Sequence, residues 1–191
     1  MYKRQVFASQ YIGSDRIPNA GVIYSKDHGK TWNISTLART NTTESQVVEV
    51  EPGVLMLNMR DNRGGSRAVS TTTDLGKTWK EHESSRTALQ EPVCMASLIS
   101  VKAKENVLGK DILLFSNPND TKNRHSITIK ASLDGGVTWL PENQLLLDAG
   151  WGWGYSCLTM IDKETVGILY ESSVAHMTFQ AIKLKDIVKT K

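Results

Sequence analysis

Ser25-Lys26-Asp27-His28-Gly29-Lys30-Thr31-Trp32 is the first of three copies of one pattern, Ser/Thr-x-Asp-x-Gly-x-Thr-Trp. The others are Thr72-Thr73-Asp74-Leu75-Gly76-Lys77-Thr78-Trp79 and Ser132-Leu133-Asp134-Gly135-Gly136-Val137-Thr138-Trp139, and their aspartates stand 47 and 60 residues apart (27 to 74, 74 to 134). Repetition at such a period marks an architecture that stacks one supersecondary unit many times. The residue types describe a hairpin turn. Asp accepts hydrogen bonds from nearby backbone N–H groups, Gly takes a positive φ that other residues resist, and Thr-Trp re-enters a strand with a large apolar anchor.

Working outward, strand-like segments precede each copy at residues 20–24, 68–71 and 126–131. Further apolar or alternating runs cover 46–50, 54–59, 95–101, 111–116, 155–161, 165–170 and 176–184, each rich in aliphatic residues and bounded by Gly, Pro, Asn or Asp. A short terminal helix over 184–189 is the one helical expectation. The spacing of the copies is close to one four-stranded blade plus insertions. The predicted fold is therefore all-β, about three blades of a β-propeller carrying aspartate boxes, with open edges at both ends. Asp27, Asp74 and Asp134 are read as turn-forming residues of these boxes and not as catalytic ones.

Bulk properties exclude several classes. The chain has 191 residues, 39% hydrophobic and 23% charged, with a formal charge of +3. Lys and Arg are scattered among acidic residues, which argues against nucleic-acid or membrane-surface binding. No apolar run approaches the roughly 18 residues of a membrane helix. Cys94 and Cys157 are the only cysteines, too few for a disulfide scaffold and wrongly spaced for a metal cluster, so both are expected to be buried free thiols. Met1-Tyr2-Lys3-Arg4-Gln5 reads like a translated transposon end from a sequencing library. Residues 1–5 are accordingly set aside as a scar and residues 6–191 taken as the folded part.

Between the boxes lie polar residues that a blade does not require. Glu44 heads an apolar strand within Thr43-Glu44-Ser45-Gln46-Val47-Val48-Glu49. Arg60 ends another in Asn58-Met59-Arg60. Ser116-Asn117-Pro118 leads to Arg124, and Tyr155 opens Gly154-Tyr155-Ser156-Cys157-Leu158 after a glycine-rich stretch that holds Trp151 and Trp153. Taken singly, each has a bland explanation as an ion pair or a packed ring.

In this order, together with Gly167-Ile168-Leu169-Tyr170-Glu171, the segments resemble the exo-α-sialidases, six-bladed propellers whose blades carry these boxes. The resemblance covers nearly the whole chain and is closest to sialidases of Bacteroides-like gut bacteria. It implies that Tyr155 is the nucleophile, that Glu44 polarises its phenol, and that Arg60 and Arg124 are two of three arginines gripping the substrate carboxylate. Trp151 and Trp153 become candidates for lining the aglycone or acyl-group side of the pocket. Glu171 receives no catalytic role, and Arg63 and Arg67 are read as loop or ion-pair residues. Residues 90–95 are expected to enter the next blade near the site.

The same resemblance implies substrates among sialylated glycoproteins, glycolipids or oligosaccharides, a secreted, periplasmic or cell-surface location, and no metal or organic cofactor. The family's first arginine and aspartate acid/base have no counterpart here, since Arg16-Ile17-Pro18 precedes a box and is read as a coincidental match. The chain is thus expected to be the C-terminal part of the catalytic propeller, inactive or weakly active alone. Non-enzymatic propellers that bind glycan or protein also carry boxes, and only the ordered Glu44, Arg60, Arg124 and Tyr155 separate the two readings.

Overall fold

The computed structural model describes residues 5–189 and is built almost wholly of antiparallel strands. The first sheet comprises β1 (Gln5–Ile12), β2 (Pro18–Ser25), β3 (Asn33–Ile34) and β4 (Arg39–Thr40), the last two both pairing with β2. The second opens with β5 (Thr42–Glu51) and β6 (Val54–Asp61). After the two-residue β7 (Gly65–Ser66) it is completed by β8 (Ala68–Thr72) and β9 (Lys80–Glu81), while β10 (Gln90–Glu91) returns to pair with β7. The third sheet runs β11 (Ser97–Val101), β12 (Ile112–Pro118), β13 (His125–Ser132) and β14 (Gln144–Trp151). The last holds β15 (Ser156–Met160), β16 (Thr165–Tyr170) and β17 (Thr178–Lys183), followed by the one-turn helix α1 (Leu184–Ile187). No helix among the described residues is long and apolar enough to cross a membrane.

Four blade-like sheets thus stand where box counting suggested about three, because the last sheet carries no box. Of the residues set aside as a scar, 1–4 lie outside the described residues, and Gln5 begins β1 opposite Ser25. Arg16 lies exposed in the turn between β1 and β2.

The central strands explain why the sheets stack. Along β6, Leu57 and Met59 pack toward the first sheet with Ala20 and Val22, whereas Met56 packs toward the third with Leu98 and Phe115. Along β12, Leu113 and Phe115 face the second sheet, and Ile112 and Leu114 face the last. Alternate residues of one strand point to opposite faces, so a run that is apolar throughout demands a covering sheet on each side. The outer faces of the first and last sheets are uncovered among the described residues, leaving Phe7, Ile34, Leu169 and Phe179 exposed. Both cysteines are free, but only Cys94 is buried. Cys157 departs from expectation because it points from β15 to that uncovered outer face, while its neighbours Ser156 and Leu158 point inward.

All three boxes close in the same way. In the second, Thr72 Oγ1 donates to Asp74 Oδ1 at 2.8 Å, and Thr78 donates its N–H to Oδ1 and its hydroxyl to Oδ2 at 3.0 and 2.8 Å. Gly76 has φ +79°, and a Cβ there would stand 2.5 Å from Ser35 Cβ, so glycine is required twice over. The box also staples neighbouring sheets, with Trp79 Nε1 donating to the Thr36 carbonyl at 3.0 Å.

Two stability predictions follow from this packing. The Asp74 hydrogen bonds hold its carboxyl down to about 2, so they stabilise the fold above the ordinary carboxylate range and lose that effect as pH falls toward about 2. Asp74→Asn should be less stable than wild type at neutral pH, with the gap closing on acidification in urea unfolding curves. A gap independent of pH would show that the charge is irrelevant. Lys130 is buried between the second and third sheets with no carboxylate partner among the described residues, and desolvation pushes its ammonium from 10.5 to about 8. Its depressed value means that burying the charge costs stability below pH 8 and that the cost is relieved as pH rises toward 10.5. Lys130→Met should therefore add about 1–3 kcal/mol at pH 7 and flatten that alkaline rise. A destabilised variant would contradict this.

Candidate active site

Strand direction brings the candidate residues to one end of the stacked sheets. Glu44 lies near the start of β5, Arg60 near the end of β6, Arg124 just before β13 and Tyr155 just before β15. In an antiparallel sheet the start of one strand and the end of the next share an edge. A local irregularity then aims Glu44. Pairing of β5 with β6 jumps from Thr42–Asp61 to Ser45–Met59, so Thr43 and Glu44 together oppose Arg60. Such a bulge twists the strand and redirects a side chain, as often happens beside functional sites.

The four residues meet. Tyr155 Oη donates to Glu44 Oε1 at 2.5 Å, across 111 positions of sequence. Arg60 forms an ion pair with the other oxygen, Glu44 Oε2, and its Nη1 lies 3.4 Å from Tyr155 Oη. Arg124 stacks over the Tyr155 ring, Cζ 5.8 Å from the centroid. Its two terminal nitrogens donate to the carbonyls of Trp153 and Val93 at 3.0 and 3.2 Å. Gly154 permits this crowding, because a Cβ there would lie 2.7 Å from Pro118 Cγ and its φ is +88°.

The electrostatics follow from the contacts. Burial raises the Tyr155 phenol above its ordinary range, and the hydrogen bond and negative charge of Glu44 raise it further, with Arg60 opposing. The phenol is therefore neutral at rest and already directed at a carboxylate that can take its proton. Burial disfavours the Arg60 cation, but Glu44 and, after it, Tyr155 together outweigh that cost and its pKa rises. Arg60 Nε is buried without a partner. Two guanidinium groups beside one phenol give the site a positive character suited to an anionic ligand. A cleft of about 280 Å³ adjoins Glu44, lined by residues including Ser9, Gln10, Thr43 and Met95.

Trp151 and Trp153 are 66% and 68% exposed and so stand out from the core instead of packing between blades. Trp151 lies against His125, ring centroids 5.5 Å apart. Arg63 and Arg67 both form ion pairs, with Asp61 and Glu91. Sequence reasoning left Glu171 without a role, yet its carboxylate accepts the Tyr155 N–H at 2.9 Å while its own N–H donates to the Tyr155 carbonyl. It also missed that Arg67 and Glu91 are wholly buried beneath the site. Nothing in the residues around either one, Gly64-Gly65-Ser66-Arg67 or Glu91-Pro92-Val93-Cys94, signals that burial.

Known proteins share this arrangement of sheets. The chain is 77% identical over 184 residues to a sialidase of Bacteroides fragilis, covering 96% of this chain and 34% of that protein. It superposes on the Hadza microbial sialidase Hz136 with a TM-score of 0.94 at 73% identity, covering 97% of this chain and 36% of that one. A sialidase of Trypanosoma rangeli, 22% identical with a TM-score of 0.77 over 95% of this chain and 29% of that one, supports the β-propeller fold alone. The chain thus spans about a third of the length of its most similar relatives named here. Residues 2–168 match the BNR repeat-like domain, and the chain belongs to that family.

Proposed function

We infer that this chain forms part of a retaining exo-α-sialidase that hydrolyses terminal α-linked sialic acid from glycoproteins, glycolipids or oligosaccharides. The single observation that carries this reading is the Tyr155–Glu44 hydrogen bond, with Arg60 closed on the second Glu44 oxygen and Arg124 over the ring. Residues remote in sequence converge there on one phenol. High identity to proteins named sialidase supports the same reading.

The anomeric carbon of sialic acid carries a carboxylate, which would repel an anionic Asp or Glu nucleophile; a neutral phenol avoids that repulsion. Arg60 and Arg124 hold this carboxylate, releasing Glu44 from its ion pair to act as base. Tyr155 Oη attacks the anomeric carbon as Glu44 takes its proton, the glycosidic bond breaks, and the leaving oxygen is protonated. Water then cleaves the sialyl-tyrosine and the phenol recovers its proton, with net retention of configuration. No metal or organic cofactor enters these steps. The third arginine and the aspartate that protonates the leaving group belong, on this reading, to the part of a relative-length protein that the chain does not span. That protein is a six-bladed propeller exported to the periplasm, cell surface or medium, and this chain is part of its catalytic domain. Trp151 and Trp153 offer apolar faces to the leaving glycan or to acyl groups on the sugar.

In the relative-length protein, Tyr155→Phe should lower release of free sialic acid by at least about a thousandfold, while Arg124→Lys should act mainly by raising KM. Chromatographic assay of sialic acid from an α-linked substrate reads both. An unimpaired Tyr155→Phe variant would exclude the covalent route.

A further inference from the structure

Beneath the site lies an ion pair that nothing in the chemistry above uses. Arg67 and Glu91 are 0% exposed, and Arg67 Nη1 meets Glu91 Oε2 at 3.1 Å. Every Arg67 donor nitrogen is engaged. Nε donates to Asn58 Oδ1 at 2.7 Å, Nη1 also donates to the Cys94 carbonyl at 2.8 Å, and Nη2 reaches the carbonyls of Asn58 and Glu44 at 3.3 and 3.4 Å. Glu91 in turn accepts the N–H of Asp61 at 2.9 Å and that of Cys94 at 3.1 Å. A guanidinium saturated in this way holds its partners in one fixed geometry, which a lysine cannot reproduce.

These partners are the supports of the site. The Glu44 carbonyl belongs to the bulge that aims the Glu44 carboxylate. Asn58 and Asp61 flank Arg60 on β6. Cys94 follows Val93, whose carbonyl accepts from Arg124. Val93 itself has φ +52°, a left-handed conformation that a β-branched side chain resists. Strain of this kind persists where surrounding contacts over-determine the backbone. Here Cys94 is held at both its N–H and its carbonyl by the pair.

We propose that Arg67 and Glu91 are positioning residues that set Glu44, Arg60 and, through the strained Val93 turn, Arg124 against Tyr155. The assignment rests on the sialidase reading for what those residues do, and on the hydrogen bonds for how they are held. It separates two effects. The arm to the Glu44 bulge governs turnover, the arm through Val93 governs the grip of Arg124 on the substrate carboxylate, and Arg60, which pairs with Glu44 and also holds that carboxylate, takes part in both.

Arg67→Lys keeps the charge opposite Glu91 but loses the fork. In the relative-length protein it should lower kcat and raise KM, reducing kcat/KM by about tenfold to a hundredfold, because a 1 Å displacement of reacting groups has effects of that size. Adding Val93→Gly should lower KM again by at least about threefold, recovering the part of the loss that comes through Arg124, since glycine adopts the turn without being forced, and should leave kcat low. A merely structural role predicts no such split. Wild-type kcat and KM in Arg67→Lys, or a Val93→Gly change that restores both constants or neither, would overturn the assignment. Should Arg67→Lys fail to fold, Glu91→Asp, which keeps both charges and shortens the reach to the Asp61 and Cys94 amides, is read in the same way. A wild-type protein without sialidase activity would instead refute the proposed reaction. The positioning role is then read from a crystal structure of the variant: a Glu44 carboxylate moved out of hydrogen-bond reach of Tyr155 supports it, and unmoved geometry overturns it.

Discussion

A sheet that is apolar on both faces must be covered on both, and the rest of this molecule depends on that constraint. β6 and β12 each send alternate residues into two different cores. Burial of such side chains is the dominant favourable contribution to folding, so the sheets stack in series with their inner strands side by side. Once they do, the ends of those strands gather at one place. Glu44, Arg60, Arg124 and Tyr155 come from three different sheets and need no long loop to reach one another. The aspartate boxes serve the same end, closing turns and, at Trp79, tying one sheet to the next.

The chemistry at that junction is electrostatic. A phenol is a poor nucleophile while neutral, and its pKa is raised further here by burial and by Glu44. On the proposed reading, activation therefore comes from proton transfer within a preformed hydrogen bond during attack and not from a standing phenolate. Arg60 sits between two anions in turn, pairing with Glu44 at rest and, on the proposed reading, with the substrate carboxylate during reaction. Beneath it, a buried pair whose hydrogen bonds are saturated fixes the backbone from which these groups project.

Much of this was legible in the residues, for identifiable reasons. The boxes announce themselves because Asp, Gly and Trp each have a local physical task at a fixed offset. Strands over 54–59 and 111–116 are visible as apolar runs and recur as β6 and β12. The order of Glu44, Arg60, Arg124 and Tyr155 pointed to the site only through resemblance to a family, since each residue alone has an ordinary explanation. Other features could not be read. The bulge at Thr43–Glu44 depends on register with β6, which periodicity does not report. Arg67 and Glu91 are 24 positions apart, and nothing local indicates that both charges are buried. The fourth sheet was undercounted because it has no box, and the exposure of Cys157 reflects which face another sheet covers.

The central claim is that Tyr155 becomes covalently bonded to the sugar. It is tested most directly by treating the relative-length protein with 2,3-difluorosialic acid, the compound named with the covalent intermediate of the Trypanosoma rangeli enzyme, and locating the adduct by peptide mass spectrometry. The sugar should appear on the peptide containing Tyr155 and be absent from Tyr155→Phe. An adduct on another residue, or one that persists in that variant, would contradict it.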